Sequence, residues 1–352
     1  MNDIQGLVRQ VRSLLEDSAF SEEGVAGVCL PLLAGFPMEL PEIDEQRFFL
    51  ARPDRREWWL GLGCSWRVQL QGANHLEAAS REAERLFSRY ENNDSEPMDV
   101  PMRLFVWSGD GETQLTLPTV QFIGRNGKAA LIVTPDPSHP DAWAALLEQG
   151  LVALGEAAEP VPAPPVLNGK QQEPDAQIWL RIAEQAIDAI RKGEMDKLVL
   201  ARKIRYAASR RLSARRLVSS LLYRHCNCTI FASDMGEGCW LGASPEILLD
   251  RQDGRFFCEA VAGTVRRDPD EGVDQELGEW LLRDAKSRRE HELVAAWLRD
   301  ALMPYGDFEI DDIEPRLLQL RGLQHLYTPF SGRLRDDVQS LEIAQKLHPT
   351  PA

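Results

Sequence analysis

Lys286-Ser287-Arg288-Arg289-Glu290-His291-Glu292-Leu293-Val294 lies in a run whose periodicity predicts one long helix from about Val273 to Leu302. Leu293, Val294 and Trp297 mark its apolar stripe. Glu290 precedes them at helical spacing, which sets it on the same inward face, while Glu292 projects elsewhere. An inward carboxylate needs a cation, hydrogen bonds or a metal. An ion pair with Lys or Arg meets that need, and so does a divalent ion. His291-Glu292 is not the paired-histidine zinc pattern, because Ala295 stands where the second histidine would be. Ligation by carboxylates alone favours a hard cation such as Mg²⁺.

Working outward from this helix, the preceding residues read as short strands at Lys197–Tyr206, Thr229–Ser233, Cys239–Gly242, Ile247–Asp250 and Arg255–Ala260. A helix is predicted around Ala214–Tyr223. Another covers Asp175 to Arg191, with Asp175 as N-cap, Ile178, Ile182, Ala186 and Ile190 as its stripe, and Gly193 past its end. Before it, Glu156 to Pro174 carries Pro160, Pro162, Pro164, Pro165 and Pro174 without periodicity, and reads as a linker or surface connection.

The N-terminal part begins with an amphipathic helix, Met1 to Leu15, which lacks the continuous apolar segment of a signal peptide. Strand-like runs follow at Gly24–Leu33, Trp58–Leu62, Trp66–Leu70, Met102–Trp107, Leu115–Ile123 and Lys128–Val133, with a helix over Leu76–Tyr90. Strands dominate without regular βαβ units, so the fold class is α+β with antiparallel-rich sheets.

Composition narrows the function classes. The chain has 352 residues, 43% hydrophobic and 27% charged, with a formal net charge of −15. Nucleic-acid affinity comes mainly from Lys and Arg displacing counterions, so this balance argues against a nucleic-acid partner. It leaves room for an anionic small substrate, because a metal ion or a few placed cations make a site locally positive. No apolar run reaches the length of a membrane span, so no membrane role is expected. The six cysteines are scattered, which suits a reduced cytoplasmic protein. His225-Cys226-Asn227-Cys228 reads either as a strand with core thiols or as a metal site, and its spacing favours thiols.

Four further segments carry chemistry. In Asp196-Lys197-Leu198-Val199-Leu200-Ala201-Arg202, Lys197 shares a strand face with Val199 and Ala201. It is either an edge-strand lysine or a partly buried amine whose pKa falls until it serves as a base. In Leu241-Gly242-Ala243-Ser244-Pro245-Glu246, the end is either a helix start capped by Ser244 or a corner that holds Glu246 at the end of a buried strand. Desolvation there would raise the carboxyl pKa and make it a proton donor. Cys258-Glu259-Ala260-Val261-Ala262-Gly263-Thr264 reads as a strand running into a Gly-Thr turn, which either needs glycine flexibility or offers backbone amides to an anion. His325, within Arg321-Gly322-Leu323-Gln324-His325-Leu326, stands alone in its segment.

Taken in order, Lys197-Leu198-Val199-Leu200-Ala201-Arg202, Gly242-Ala243-Ser244-Pro245-Glu246, Ala262-Gly263-Thr264, the Lys286–Val294 stretch and Leu347-His348-Pro349-Thr350-Pro351-Ala352 resemble the chorismate-utilising enzymes. That family holds isochorismate synthase, salicylate synthase, anthranilate synthase component I and aminodeoxychorismate synthase component I. The resemblance covers Asp175 to Ala352, and the first 160 residues match in general character. It implies two α/β halves with stacked, mostly antiparallel sheets and an active-site cleft between them. Residues 1–160 would form the N-terminal half, 161–174 a proline-rich linker and 175–352 the chorismate-binding catalytic region.

The resemblance also implies chorismate as substrate and Mg²⁺ as cofactor. By analogy Lys197 is the base that activates water for attack at C2. Glu246 is the acid that protonates the departing C4 hydroxyl. Glu290 is one of two glutamates that hold Mg²⁺, and Gly263, Thr264, His325 and Ala352 contact or adjoin the substrate. Ammonia-using members generally lack a lysine at the position of Lys197 and tend to have threonine at that of Ala352. Water is therefore the expected nucleophile and isochorismate the expected product, feeding menaquinone or salicylate and catechol siderophores. The alternative is a salicylate synthase, which goes on to eliminate pyruvate. Family members continue past the position of Ala352 with the second glutamate, a substrate-binding arginine and closing core elements. A C-terminally truncated catalytic region with a half-built metal site and exposed sheet edges is thus expected, inactive alone or a catalytically inactive homologue. A monomer is expected.

Overall fold

The computed structural model describes residues 4–16, 25–32, 47–94, 102–109, 111–125, 127–155, 165–234, 238–308 and 314–351. Chain contacts divide it into two units. The first comprises Met1–Pro160, Ala214–Pro245 and Gln339–Gln345, and the second Val161–Ser213, Glu246–Val338 and Lys346–Ala352. Residues after the proline-rich stretch therefore contribute to both.

The first unit is built on an eight-stranded sheet, in the order Cys239–Ser244, Thr229–Asp234, Arg47–Arg52, Glu57–Leu62, Val120–Arg125, Lys128–Val133, Val25–Leu32, Tyr90–Asp94. All its pairs are antiparallel except the last. The run expected as one strand over Leu115–Ile123 is broken by Pro118, and its halves join different sheets. A three-stranded sheet, Trp66–Gln71, Glu112–Leu117 and Phe105–Gly109, stacks on the first through Phe48 and Phe105, whose ring centroids lie 5.1 Å apart. Leu117, Phe122, Ile123, Leu131 and Ile132 fill the core. The opening helix spans Ile4–Glu16 and buries Val8 and Val11, as its spacing predicts.

His225 to Cys228 forms a turn rather than a strand, linking the helix Ala214–Arg224 to the strand Thr229–Asp234. Cys226 is exposed, Cys228 is buried, and every cysteine is a free thiol. No cluster of three metal-binding side chains exists among the described residues. No helix among them is long and apolar enough to cross a membrane.

The second unit centres on a long hairpin, Arg255–Arg266 against Leu323–Leu334. Asp250–Gln252 flanks one strand, and Gly306–Phe308 and Arg316–Gln319 flank the other. Where one continuous helix was expected there are two, Glu271–Arg283 and Ala285–Leu302, both packed on this hairpin. The break is Asp284, whose extended backbone ends the first helix and whose carboxylate caps the second by accepting the Ser287 N–H at 2.8 Å.

A polar network fixes the first of these helices. Arg267 Nε lies 2.8 Å from both carboxylate oxygens of Asp274, and buried Gln324 donates to the Asp274 carboxylate at 3.1 Å as well as to its backbone carbonyl at 2.9 Å. Hydrogen bonding from Arg267 holds the Asp274 carboxyl below the usual carboxylate range. Asp274→Ala would leave Gln324 and the guanidinium with unmet hydrogen bonds. It is expected to lower the melting temperature by about 5 °C at neutral pH. The gap should close as pH falls through the depressed Asp274 pKa, because the wild-type advantage belongs to the ionised form. Melting curves across acid pH read both effects.

The remainder of this unit departs most from expectation. Leu167–Glu173, read as linker, is a strand, and it pairs antiparallel with Lys203–Ala208. The strand expected from Lys197 therefore starts only at Lys203: among the described residues, 197–202 has no ladder partner to satisfy its backbone. Asp175 caps the next helix as predicted, accepting from Gln177 and Ile178 N–H at 2.9 Å. That helix, Ala176–Arg191, buries none of its residues, and Ile178, Ile182 and Ile190 remain exposed.

Candidate active site

The strand Arg255–Arg266 organises the site. Its side chains alternate, and Phe256, Cys258 and Ala260 are buried on the face that packs the helices. Glu259 and Val261 belong to the opposite face. The register then shifts: Ala262 pairs with Leu326, but Thr264 rather than Gly263 pairs with His325. Gly263, at φ +78°, is the extra residue of a β-bulge. The turn expected at Gly263-Thr264 is thus a bulge inside a continuing strand, because Leu323–Leu334 pairs on both sides of it.

The bulge reverses the alternation. Without it Thr264 would follow Ala260 and Ala262 onto the helix face. With it Thr264 joins Glu259 and Val261, beside His325 of the neighbouring strand. The Thr264 hydroxyl lies 2.9 Å from His325 Nδ1. Burial lowers the His325 pKa, so its ring is neutral near pH 7. Gly263, Thr264 and His325 are brought together.

Glu246 comes to the same strand from the other direction. Ser244 ends its strand, and Pro245-Glu246 forms a corner with no helix after it. The reading of Ser244 as a helix cap does not hold, and the strand expected at Ile247 begins at Asp250. Glu246 receives a hydrogen bond from the Val261 backbone. Burial first, and the nearby Glu259 carboxylate second, push its pKa up to about 7. A carboxyl held neutral to that pH can donate a proton.

Glu290 sits at the margin of its helix's buried stripe. That stripe runs through Ser287, His291, Val294, Ala295 and Leu298, rather than Leu293, Val294 and Trp297. The shift of about one residue leaves the Glu290 side chain 35% exposed and 3.6 Å from Lys286. A pair this open adds little stability. Ser287, one turn before Glu290, packs against Gly263. Glu290 thus offers a single hard carboxylate, which fits Mg²⁺ as one of the one or two carboxylates that ion takes alongside water and substrate oxygens. Buried His291 sets its Nε2 2.8 Å from the hydroxyl of buried Thr328, tying this helix to the hairpin.

Lys197 is half-exposed in the irregular 197–202 segment. No hydrogen bond or ion pair among the described residues ties it to Glu246 or Glu290. Ala352 lies outside the described residues. Sequence reading assigned no role to Glu259 or Thr328. Each is a polar residue within a strand, and strand pairing is needed to interpret it.

The second unit thus presents a carboxylic acid at the Pro245-Glu246 corner, a neutral histidine–threonine pair on the hairpin and the Glu290 carboxylate on the helix packed against it. The profile of the family described as chorismate binding enzyme matches residues 33–352, and the chain belongs to that family. It is 34% identical over 254 residues to the salicylate biosynthesis isochorismate synthase of Pseudomonas aeruginosa, covering 70% of this chain and 52% of that protein. It is 34% identical over 244 residues to isochorismate synthase MenF of Escherichia coli, covering 68% and 55%. The chain thus spans about half the length of the curated relatives it matches. Its fold is that of the solved menaquinone-specific isochorismate synthase MenF of Escherichia coli, with a TM-score of 0.74 at 24% identity over 99% of this chain and 78% of that one. The anthranilate synthase component I of Streptococcus pneumoniae is also similar, with a TM-score of 0.60 at 16% identity over 87% and 73%.

Proposed function

We propose that this protein is an isochorismate synthase, converting chorismate to isochorismate. The observation that supports it most is the Glu246 carboxyl, kept protonated to about pH 7 beside the strand that carries Thr264. In this reading Lys197 takes a proton from water as its oxygen bonds to C2 of chorismate. The ring double bonds shift, the C4–oxygen bond breaks, and Glu246 supplies the proton that lets the hydroxyl leave as water. One water enters and one leaves, so the reaction is an isomerisation. Thr264 and His325 present hydrogen-bonding groups to the substrate, with Gly263 setting their alignment and Ala352 adjoining the nucleophile. Glu290 would hold Mg²⁺, which neutralises a substrate carboxylate and fixes its orientation.

The test is product analysis of the purified protein with chorismate and Mg²⁺, beside Lys197→Ala. Isochorismate without salicylate, lost by at least about 10²-fold in Lys197→Ala, is expected. Salicylate with pyruvate would assign the protein as a salicylate synthase instead. If chorismate is bound but unchanged, the protein is a non-catalytic binder and the synthase reading fails.

A further inference from the structure

Glu259 is buried, only 9% exposed, on the sheet face that carries Val261 and Thr264, and the reaction as written does not use it. Its carboxylate accepts the Ile247 N–H at 2.8 Å. Its own N–H donates to the Ile247 carbonyl at 3.1 Å. Ile247 is thus held at both ends by one residue, and Glu246 is the residue immediately before it. We propose that Glu259 is a positioning residue for Glu246, clamping the Glu246–Ile247 corner to the strand and keeping a fixed negative charge beside the Glu246 carboxyl. The inference rests on the reading of Glu246 as proton donor.

Two physical consequences follow. The clamp fixes the corner against the Val261 backbone, so the carboxyl is held where that N–H meets it. The charge disfavours ionisation of Glu246, because two carboxylates this close in a partly desolvated site resist both being charged. The Ile247 N–H is placed to favour the charged form of the Glu259 carboxylate, which it meets at 2.8 Å. Cys258 on the same strand is pushed up to about 12, chiefly by burial, and is a neutral thiol. His325 on the neighbouring strand is neutral through burial.

The experiment is a carboxyl titration of Glu246 in the full chain, followed by infrared or carbon NMR. Glu246→Gln identifies the signal. Glu259→Gln keeps an acceptor for the Ile247 N–H but removes the charge, and Glu259→Ala removes both. The Glu246 titration is expected near pH 7 in the wild type. It should move toward the ordinary carboxylate range in both variants. The Ile247 amide should keep its protection from hydrogen exchange in Glu259→Gln and lose it in Glu259→Ala. Turnover of chorismate by Glu259→Gln at pH 7 should fall on the order of fivefold in kcat, with KM little changed. An unmoved titration in Glu259→Gln overturns the charge role, and retained protection in Glu259→Ala overturns the clamp. Because both readouts are independent of turnover, absence of product with movement of the titration would sink the synthase reading and leave this one standing.

Discussion

Glu246→Gln is expected to lower kcat for chorismate by about 10²–10⁴-fold, the range over which a positioned proton donor contributes. The carboxyl's pKa is pushed up to about 7 by burial and then by Glu259. Below that pH Glu246 carries the proton that the departing hydroxyl needs. Above it the group is ionised and cannot donate. The wild-type rate should therefore fall as pH rises through about 7, and that limb should vanish in the glutamine variant. The glutamine keeps an oxygen for the Val261 hydrogen bond, so the corner should stay folded. The same substitution removes a charge that is unfavourable in the folded state. Stability that the wild type loses between the ordinary glutamate range and pH 7 should be retained by Glu246→Gln. Rate profiles and melting curves across this window check the two halves separately. A glutamine variant that keeps both the rate and its pH limb would remove Glu246 from the reaction.

The sequence exposes local pattern well and pairing poorly. The Asp175 cap, the Val8/Val11 face and most strands of the first unit follow from spacing and turn chemistry alone. Around Gly-Ala-Ser-Pro-Glu246 the sequence leaves a capped helix start and a strand-end corner both open, and the structure takes the corner. What failed depended on partners distant in sequence. The segment from Lys197 has strand composition, yet no ladder reaches it among the described residues. The helix Ala176–Arg191 has a clear apolar stripe, but periodicity says which residues share a face and nothing about what covers it. Asp284 looked like a residue within one helix, although its carboxylate is a cap. Gly263 reads as a turn in sequence, because a bulge is defined by the opposing strand and leaves only a glycine in its own sequence.

The second large effect is expected from Gly263→Val. Valine at φ +78° is strained, because a left-handed conformation costs an ordinary residue ~1–2 kcal/mol and a β-branched side chain more. A Cβ there would also stand 3.1 Å from the Ser287 Cβ and 3.4 Å from the Ser287 carbonyl oxygen, both in the first turn of the helix that carries Glu290. Crowding of this kind costs ~1–3 kcal/mol, so a total loss of about 2–5 kcal/mol is expected. The strand has two ways to respond. It can keep the bulge and carry the strain, or lose the bulge and regain regular alternation. The second turns Thr264 to the helix face and breaks its 2.9 Å contact with His325. Denaturation curves measure the first cost, and the His325 ring resonances report the second. Gly263→Asn is the control, since asparagine tolerates positive φ and should lose less. Its polar side chain still meets Ser287, which separates crowding from backbone strain. If the valine variant matches the wild type in stability and in the His325 signals, the bulge is not what sets Thr264 beside His325.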